Sequence, residues 1–201
     1  MLTAMAGSKT AETTGQPQAP VRRERQLVER FIRGDDSAFD EIVAAYQGRV
    51  AGLAYRLLGW PGDVEDVTQD VFLAAYLGLK KFRCKSSLKT WLFTITINKC
   101  RSYRYKRMLR AKLLRQSADK EGSVSVTDSR LMDKERFGRI CRALTAMAAK
   151  YREPMVLKYL EELSTEKICE ILGITRNRLN VRLSRARGLL REKLADLLET
   201  D

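Results

Sequence analysis

Near the end of the sequence, Asn177, Arg178, Val181, Ser184 and Arg185 recur at helical spacing. A helix there would carry all five on one side. Asparagine and arginine make paired hydrogen bonds to adenine and guanine edges, and valine suits a thymine methyl. On the opposite side Leu179, Leu183, Ala186, Leu190 and Leu194 form an apolar stripe, flanked by Arg176, Arg182 and Arg187. Flanking arginines suit phosphates, which set register without reading sequence. The chemistry is that of a helix lying in a DNA major groove.

The elements needed to position that helix are present. "LSTEKICEILGITRNRLNVRLSRAR" has the layout of a helix-turn-helix. Ser164 is a good N-cap and Glu166 suits the first turn. Ile168, Ile171 and Leu172 give the short helix an apolar side. Gly173 can take the left-handed conformation that ends it. Ile174 then plugs the angle, and Thr175 caps the next helix. The motif assigns DNA binding and leaves the task open.

A second constellation lies in "GDVEDVTQDVFLAAY". As a helix, it places Val64, Val67, Val71, Ala74 and Ala75 on a core side, with Asp63 as the expected N-cap. Glu65, Asp66, Gln69 and Asp70 share another side, with Leu73 among them. Acid repels DNA, whereas an exposed leucine ringed by charge suits docking to a protein. A third cluster sets Tyr103 and Tyr105 among Arg101, Arg104, Lys106 and Arg107, the mixture that single-stranded nucleic acid favours. Trp91 shares a stripe with Leu88, Leu92 and Ile95 and is expected in the core.

The 201-residue chain carries a formal net charge of +13 and a pI near 9.8, which favours a polyanionic partner. No apolar run approaches the roughly 20 residues of a membrane span. The N-terminus lacks the apolar core of a signal peptide, so a cytoplasmic location is expected. Cys84, Cys100, Cys141 and Cys169 form no C-x-x-C pair, and there is no histidine. The usual zinc partner and the commonest general base are therefore missing. Cys169, among Ile168, Ile171 and Leu172, is expected to be packing. No Walker-type loop or metal cluster is recognisable, and Asp35 and Asp36 suit a helix start. The expectation is a protein that is not an enzyme, with no cofactor, no metal and no small-molecule substrate.

The organisation is all-α: two small helical domains joined by a flexible linker. Residues 1–21 have the composition of a disordered tail and residues 116–129 that of a linker. Between them lies a first block, 22–115, and after the linker a second, 130–201. In the first block, Phe39, Ile42, Val43, Tyr46, Val50, Leu53, Ala54 and Leu57 mark one helical face. A second helix follows Gly59, Pro61 and Gly62, and a third begins near Ser86 or Ser87. The second block opens with "RLMDKERFGRICRALTAMAAKY", followed by "REPMVLKYLEEL" and the helix-turn-helix.

Three stretches in this order resemble one family. "DVEDVTQDVF" is similar to the D-A-E-D-x-x-Q-D/E-x-F core of region 2 in bacterial sigma-70-family factors. "FRCKSSLKTWLFTITINKCRSYRYKR" resembles that family's F-R…W-L…I-x-x-N stretch, and "YLEELSTEKICEILGITRNRLNVRLSRARGLLREKL" resembles region 4. Two blocks with nothing but a linker between them match the extracytoplasmic-function (ECF) type. The resemblance implies that the acidic helix binds the clamp helices of the RNA polymerase β′ subunit, through Asp66, Gln69 and Asp70 with Glu65 and Leu73 beside them. It implies that region 2 melts and reads the promoter −10 element, a loop capturing an extruded base. Extrusion costs about a few kcal/mol and needs a receiving pocket. The matching contacts are Arg83, Lys85, Ser86, Ser87 and Lys89, then Asn98, Arg101, Tyr103, Arg104 and Tyr105. It further implies that Thr175, Arg176, Asn177, Arg178, Val181, Arg182, Ser184 and Arg185 read the −35 element, near the β flap. ECF-type factors are often held by an anti-sigma factor, which joins core RNA polymerase and promoter DNA among the expected partners.

The departures are specific. Asn177-Arg178-Leu179-Asn180-Val181 stands where the family often has Gly-Thr-Val-Lys-Ser, which predicts an altered promoter preference. Ser102 stands where an acidic residue often follows Asn98. The competing expectation is an autonomous helix-turn-helix regulator, binding duplex DNA without polymerase, usually as a dimer on a palindrome.

Overall fold

The computed structural model describes residues 18–59, 61–117 and 143–198, which contain helices and no strand. The first block is built from α1 (Gln18–Ile32), α2 (Ser37–Leu58), α3 (Pro61–Leu79) and α4 (Leu88–Ser117). The expected apolar face of α2 is the packed one. Ile42, Tyr46, Val50, Leu53, Ala54 and Leu57 are buried, with Phe39 and Val43 partly so. Val67, Val71, Phe72, Ala75 and Leu79 of α3 meet Leu88, Leu92, Phe93 and Ile97 of α4 in the same core.

α1 had no counterpart among the expected helices. It begins at Gln18, inside the stretch assigned to the tail, and buries Leu27, Val28 and Phe31. Its Glu24 ties three helices together. One carboxylate oxygen accepts from the Tyr46 hydroxyl, and the other accepts from the Leu88 backbone N–H at 2.9 Å. An acid from α1 thus satisfies an orphan donor at the α4 N-terminus and complements its dipole. Ser87 completes the cap, its Oγ accepting from the Thr90 N–H at 3.1 Å.

One capping expectation needs correction and another holds. Asp63 is not an N-cap, because Pro61 already opens α3, a position that suits a residue without an N–H. Its carboxylate instead accepts from the Tyr103 hydroxyl at 2.6 Å and from Arg107 at 2.9 Å, fastening α3 to α4. At α2 the expected pair does start the helix: Asp36 is the N-cap residue, and the Asp35 carboxylate accepts from the Ser37 N–H at 3.1 Å.

In the second block, α5 (Ala149–Met155) contains Pro154 and passes into a wider turn over Val156–Leu160. Pro154 has no N–H to donate, and just beyond it Glu161 N–H reaches back five residues to the Val156 carbonyl. α6 (Thr165–Leu172) and α7 (Arg176–Leu198) form the helix-turn-helix. Ser164 caps α6, and Gly173 ends it at φ 64°. Thr175 Oγ1 accepts from Arg178 N–H at 3.4 Å, and Ile174 packs in the angle. The expected linker beyond 117, the expected opening helix up to residue 142, and the tail up to residue 17 lie outside the described residues. Among the described residues no helix is long and apolar enough to cross a membrane.

Substituting Glu24→Ala strands the Tyr46 hydroxyl and the Leu88 N–H. It should lower stability by about 1–3 kcal/mol, seen as a lower urea midpoint with an unchanged slope.

Candidate functional site

The acidic side of α3 is open as expected. Glu65, Asp66, Gln69 and Asp70 are exposed, and Leu73 is 59% exposed. Leu77, one turn on, is 70% exposed and extends the apolar part of the face; its i+4 spacing from Leu73 was the available signal. Beside this face a recess of about 650 Å³ separates α3 from α4, lined by Asp66, Gln69, Asp70 and Leu73 opposite Tyr103 and Arg107. Lys99 approaches Asp70 at 3.7 Å, a loose pair at the surface that contributes little. Tyr103 therefore belongs to the α3 side. Asp63, accepting from its hydroxyl, pushes its pKa up.

The loop between α3 and α4 encloses a second, open recess of about 370 Å³, lined by Gly78, Lys81, Phe82, Arg83, Lys85, Ser86 and Trp91. Trp91 is only half-buried and stacks tilted on Phe82 at 4.8 Å. The core expectation holds in part: Trp91 packs against the core where Gly78 of α3 leaves room for its ring, and its remaining side faces the loop. Cys84, within the loop, has φ 50°, a strained left-handed backbone of the kind that gathers at functional sites.

The loop and α4 candidates separate into groups. Arg83, Lys85 and Ser86 line the recess. From Trp91, one face of α4 runs on through Thr94, Asn98, Arg101 and Tyr105. Asn98 Oδ1 lies 3.4 Å from the Arg101 guanidinium, and Tyr105 is 62% exposed. Ser87 is occupied as the cap. Lys89 turns its ammonium onto the Phe93 ring at 5.2 Å, and burial lowers its pKa. Arg104 faces the second block, where burial and then Arg107 lower its pKa.

On α7, Leu179 and Ala186 are fully buried, and Leu183 and Leu190 partly so. Thr175, Arg176, Asn177, Arg178, Ser184 and Arg185 are exposed, and Val181 is 51% exposed. Arg182 is half-buried at the edge of this surface. Arg185 also hydrogen-bonds Tyr151, lowering the phenol pKa.

The family model of sigma-70 region 2 matches residues 42–110, and that of sigma-70 region 4 matches residues 138–190. The chain is 31% identical over 182 residues to the ECF RNA polymerase sigma factor SigW of Bacillus subtilis, covering 86% of this chain and 97% of that protein. The chain belongs to the ECF sigma factors. It is likewise 29% identical over 181 residues to the ECF RNA polymerase sigma-E factor of Escherichia coli, covering 86% of this chain and 94% of that one. Among solved structures, that of CnrH in complex with the cytosolic domain of CnrY superposes with a TM-score of 0.61 at 29% identity, over 89% of this chain and 99% of that one. The sigma factor RpoE in complex with the anti-sigma factor NepR from Bartonella quintana gives 0.63 at 25%, over 78% and 96%. As a sigma factor the protein directs transcription initiation with core RNA polymerase at promoter DNA, and the autonomous-regulator alternative is not favoured.

Two cysteines have distinct surroundings. Cys169 is half-buried against the core of this ECF sigma factor. Cys100 is 3% exposed, and burial pushes its thiol up to about 12. Because the thiolate is the nucleophile, Cys100 should resist iodoacetamide at pH 8 in the folded protein and react in urea, as read by peptide mass spectrometry.

Proposed function

We propose a division of labour among three surfaces of this sigma factor. The α3 face, with Asp66, Gln69 and Asp70 at its centre and Glu65, Leu73 and Leu77 beside them, docks on the β′ clamp helices of core polymerase. The observation that carries this reading is a wide apolar contact exposed within a ring of acid. Nucleic acid repels such a face, whereas a basic protein surface can desolvate and cover it.

The recess under the α3–α4 loop receives a base extruded from the −10 element, between Trp91, Phe82 and the polar side chains of Arg83, Lys85 and Ser86. The α4 face through Asn98, Arg101 and Tyr105 carries the strand beyond it, basic groups meeting phosphate and tyrosine offering a stacking platform. Tyr103, Arg104, Ser87 and Lys89 act by holding α4 in place rather than by touching DNA. α7 enters the major groove of the −35 element. Asn177, Arg178, Val181, Ser184 and Arg185 face the bases, with Thr175, Arg176 and Arg182 on the backbone and the β flap close by. The role is non-catalytic and cytoplasmic. Because CnrH and RpoE were solved with CnrY and with the anti-sigma factor NepR, an anti-sigma factor is the expected negative regulator.

Reversing the docking charges with Asp66→Lys and Asp70→Lys should weaken binding to core polymerase at least tenfold in a pull-down or anisotropy titration. Both positions are exposed, so stability should shift by no more than about 0.5 kcal/mol. Unchanged core binding would remove the docking assignment.

On duplex DNA carrying the −35 element, Asn177→Ala and Arg178→Ala should each cost about 1–3 kcal/mol of discrimination at one base pair. Arg176→Ala should instead weaken all sequences alike and lower the salt slope by about 1.

A further inference from the structure

α1 has no task in the division of labour set out above, yet it brings a run of unneutralised charge to the edge of the α3–α4 loop. Its second turn reads Arg22-Arg23-Glu24-Arg25. Glu24 turns inward, where its carboxylate is taken up by the Tyr46 hydroxyl and the Leu88 N–H. Those bonds fix the place of its neighbours. Leu88 opens α4 directly after Lys85, Ser86 and Ser87. The second turn of α1 therefore stands beside the recess that Lys85, Ser86 and Trp91 line. Arg22, Arg23 and Arg25 are themselves exposed. Arg49 of α2 joins them, its guanidinium 5.9 Å from the centre of the Tyr46 ring.

Charge balance sets this group apart. Arg30 is met by Asp35 and Glu41, Arg107 by Asp63, Arg56 by Glu161 at 2.6 Å and Arg101 by Glu153 at 2.6 Å. Arg22, Arg23, Arg25 and Arg49 have no ion pair among the described residues, and Glu29, one turn beyond Arg25, makes none with them. Like charges three apart on a helix, as Arg22 and Arg25 are, cost stability. The run therefore burdens the fold rather than supporting it. We infer that Arg22, Arg23 and Arg25, with Arg49, form a phosphate track that holds the backbone of the single strand on the far side of the recess from the α4 face. The track rests on the assignment of the recess to an extruded −10 base. From the recess, the strand assigned to Asn98, Arg101 and Tyr105 follows α4 away from its N-terminus. The α1 arginines stand at the other end, where the strand continues once its base is held. Guanidinium groups suit phosphate by charge and by paired geometry. Such contacts add affinity and set register without reading bases.

The test uses holoenzyme assembled from core polymerase and the full chain. The probe is a fluorescein-labelled promoter fragment, identified by run-off transcription, whose −10 region is held open by mismatches. Arg22→Gln, Arg23→Gln and Arg25→Gln are combined; all three positions are exposed, and circular dichroism checks the fold. Binding should weaken about tenfold at roughly 0.1 M salt, and the slope of log K against log salt should fall by about 2, from about 0.7 per phosphate contact on a single strand. The loss should be the same whatever bases flank the −10 element, and affinity for core polymerase should not change. A lysine triple at the same positions should keep the slope; failure to do so overturns a contact made through charge. Unchanged DNA affinity and slope overturn the track. So does a loss of core binding, which would make the patch a contact with acidic protein, or a loss that follows the flanking sequence. Lys85→Ala, exposed at the recess, tests the reading beneath. It should weaken binding by an amount that depends on the base at one −10 position. Without that dependence the recess assignment fails and the track with it; with it, and a silent arginine triple, the track alone fails.

Discussion

Everything in the first block is referred to α4, a helix that must satisfy three neighbours at once. α2 and α3 pack on it from one block and α6 from the other. Its start is fixed from outside by Glu24 and from within by Ser87. Halfway along, Asp63 holds Tyr103 and Arg107 against α3. With the helix locked at these points, its remaining faces acquire definite tasks. One lines the recess with Trp91, another closes the cleft beside the acidic face, and a third meets Glu153. A rotation of α4 would disturb all three together, which is why contacts far from the proposed DNA surfaces still decide their geometry.

The helical state of α4 is itself imposed by packing. Thr94-Ile95-Thr96-Ile97 is a β-branched run with weak helix propensity and an alternating look. Burial of Ile97 and Phe93 on one side outweighs that preference. The threonine hydroxyls find partners within the helix, Thr96 donating to the Leu92 carbonyl at 2.8 Å and Thr94 to that of Thr90 at 2.9 Å. The ion pairs between blocks, with buried carboxylates and partly exposed arginines, obey a different balance. Such pairs add little net stability, since desolvation offsets attraction, yet stripping one partner leaves a buried charge and costs about 3–5 kcal/mol. They therefore set which surfaces meet more than how firmly they hold. The raised pKa of Glu161 beside Arg56 shows this offset locally.

Much of the site was legible in the sequence where chemistry and period coincide. The α7 surface follows from helical spacing and cap residues, because both sides of that helix are strongly typed. The acidic face of α3 is legible for the same reason. α1 was obscured by its neighbourhood: a charged, proline-preceded stretch whose core contribution is only Leu27, Val28 and Phe31. Asp63 matches the composition of a cap, and only the tertiary approach of Tyr103 and Arg107 gives it another role. Trp91 shares a stripe with Leu88 and Leu92, but periodicity does not show that Phe82 of the loop, as well as Gly78 of α3, borders its ring. The pairing of Arg101 with Glu153, 52 residues apart, has no local signal at all.

The central claim is that one chain docks on polymerase with its first block and selects promoters with both. Run-off transcription with purified core polymerase on genomic DNA fragments tests it most directly. The account predicts discrete transcripts that require this protein and begin downstream of a shared pair of elements. Core polymerase that gains no initiation from it, together with a chain that binds a defined duplex tightly alone, would contradict the account.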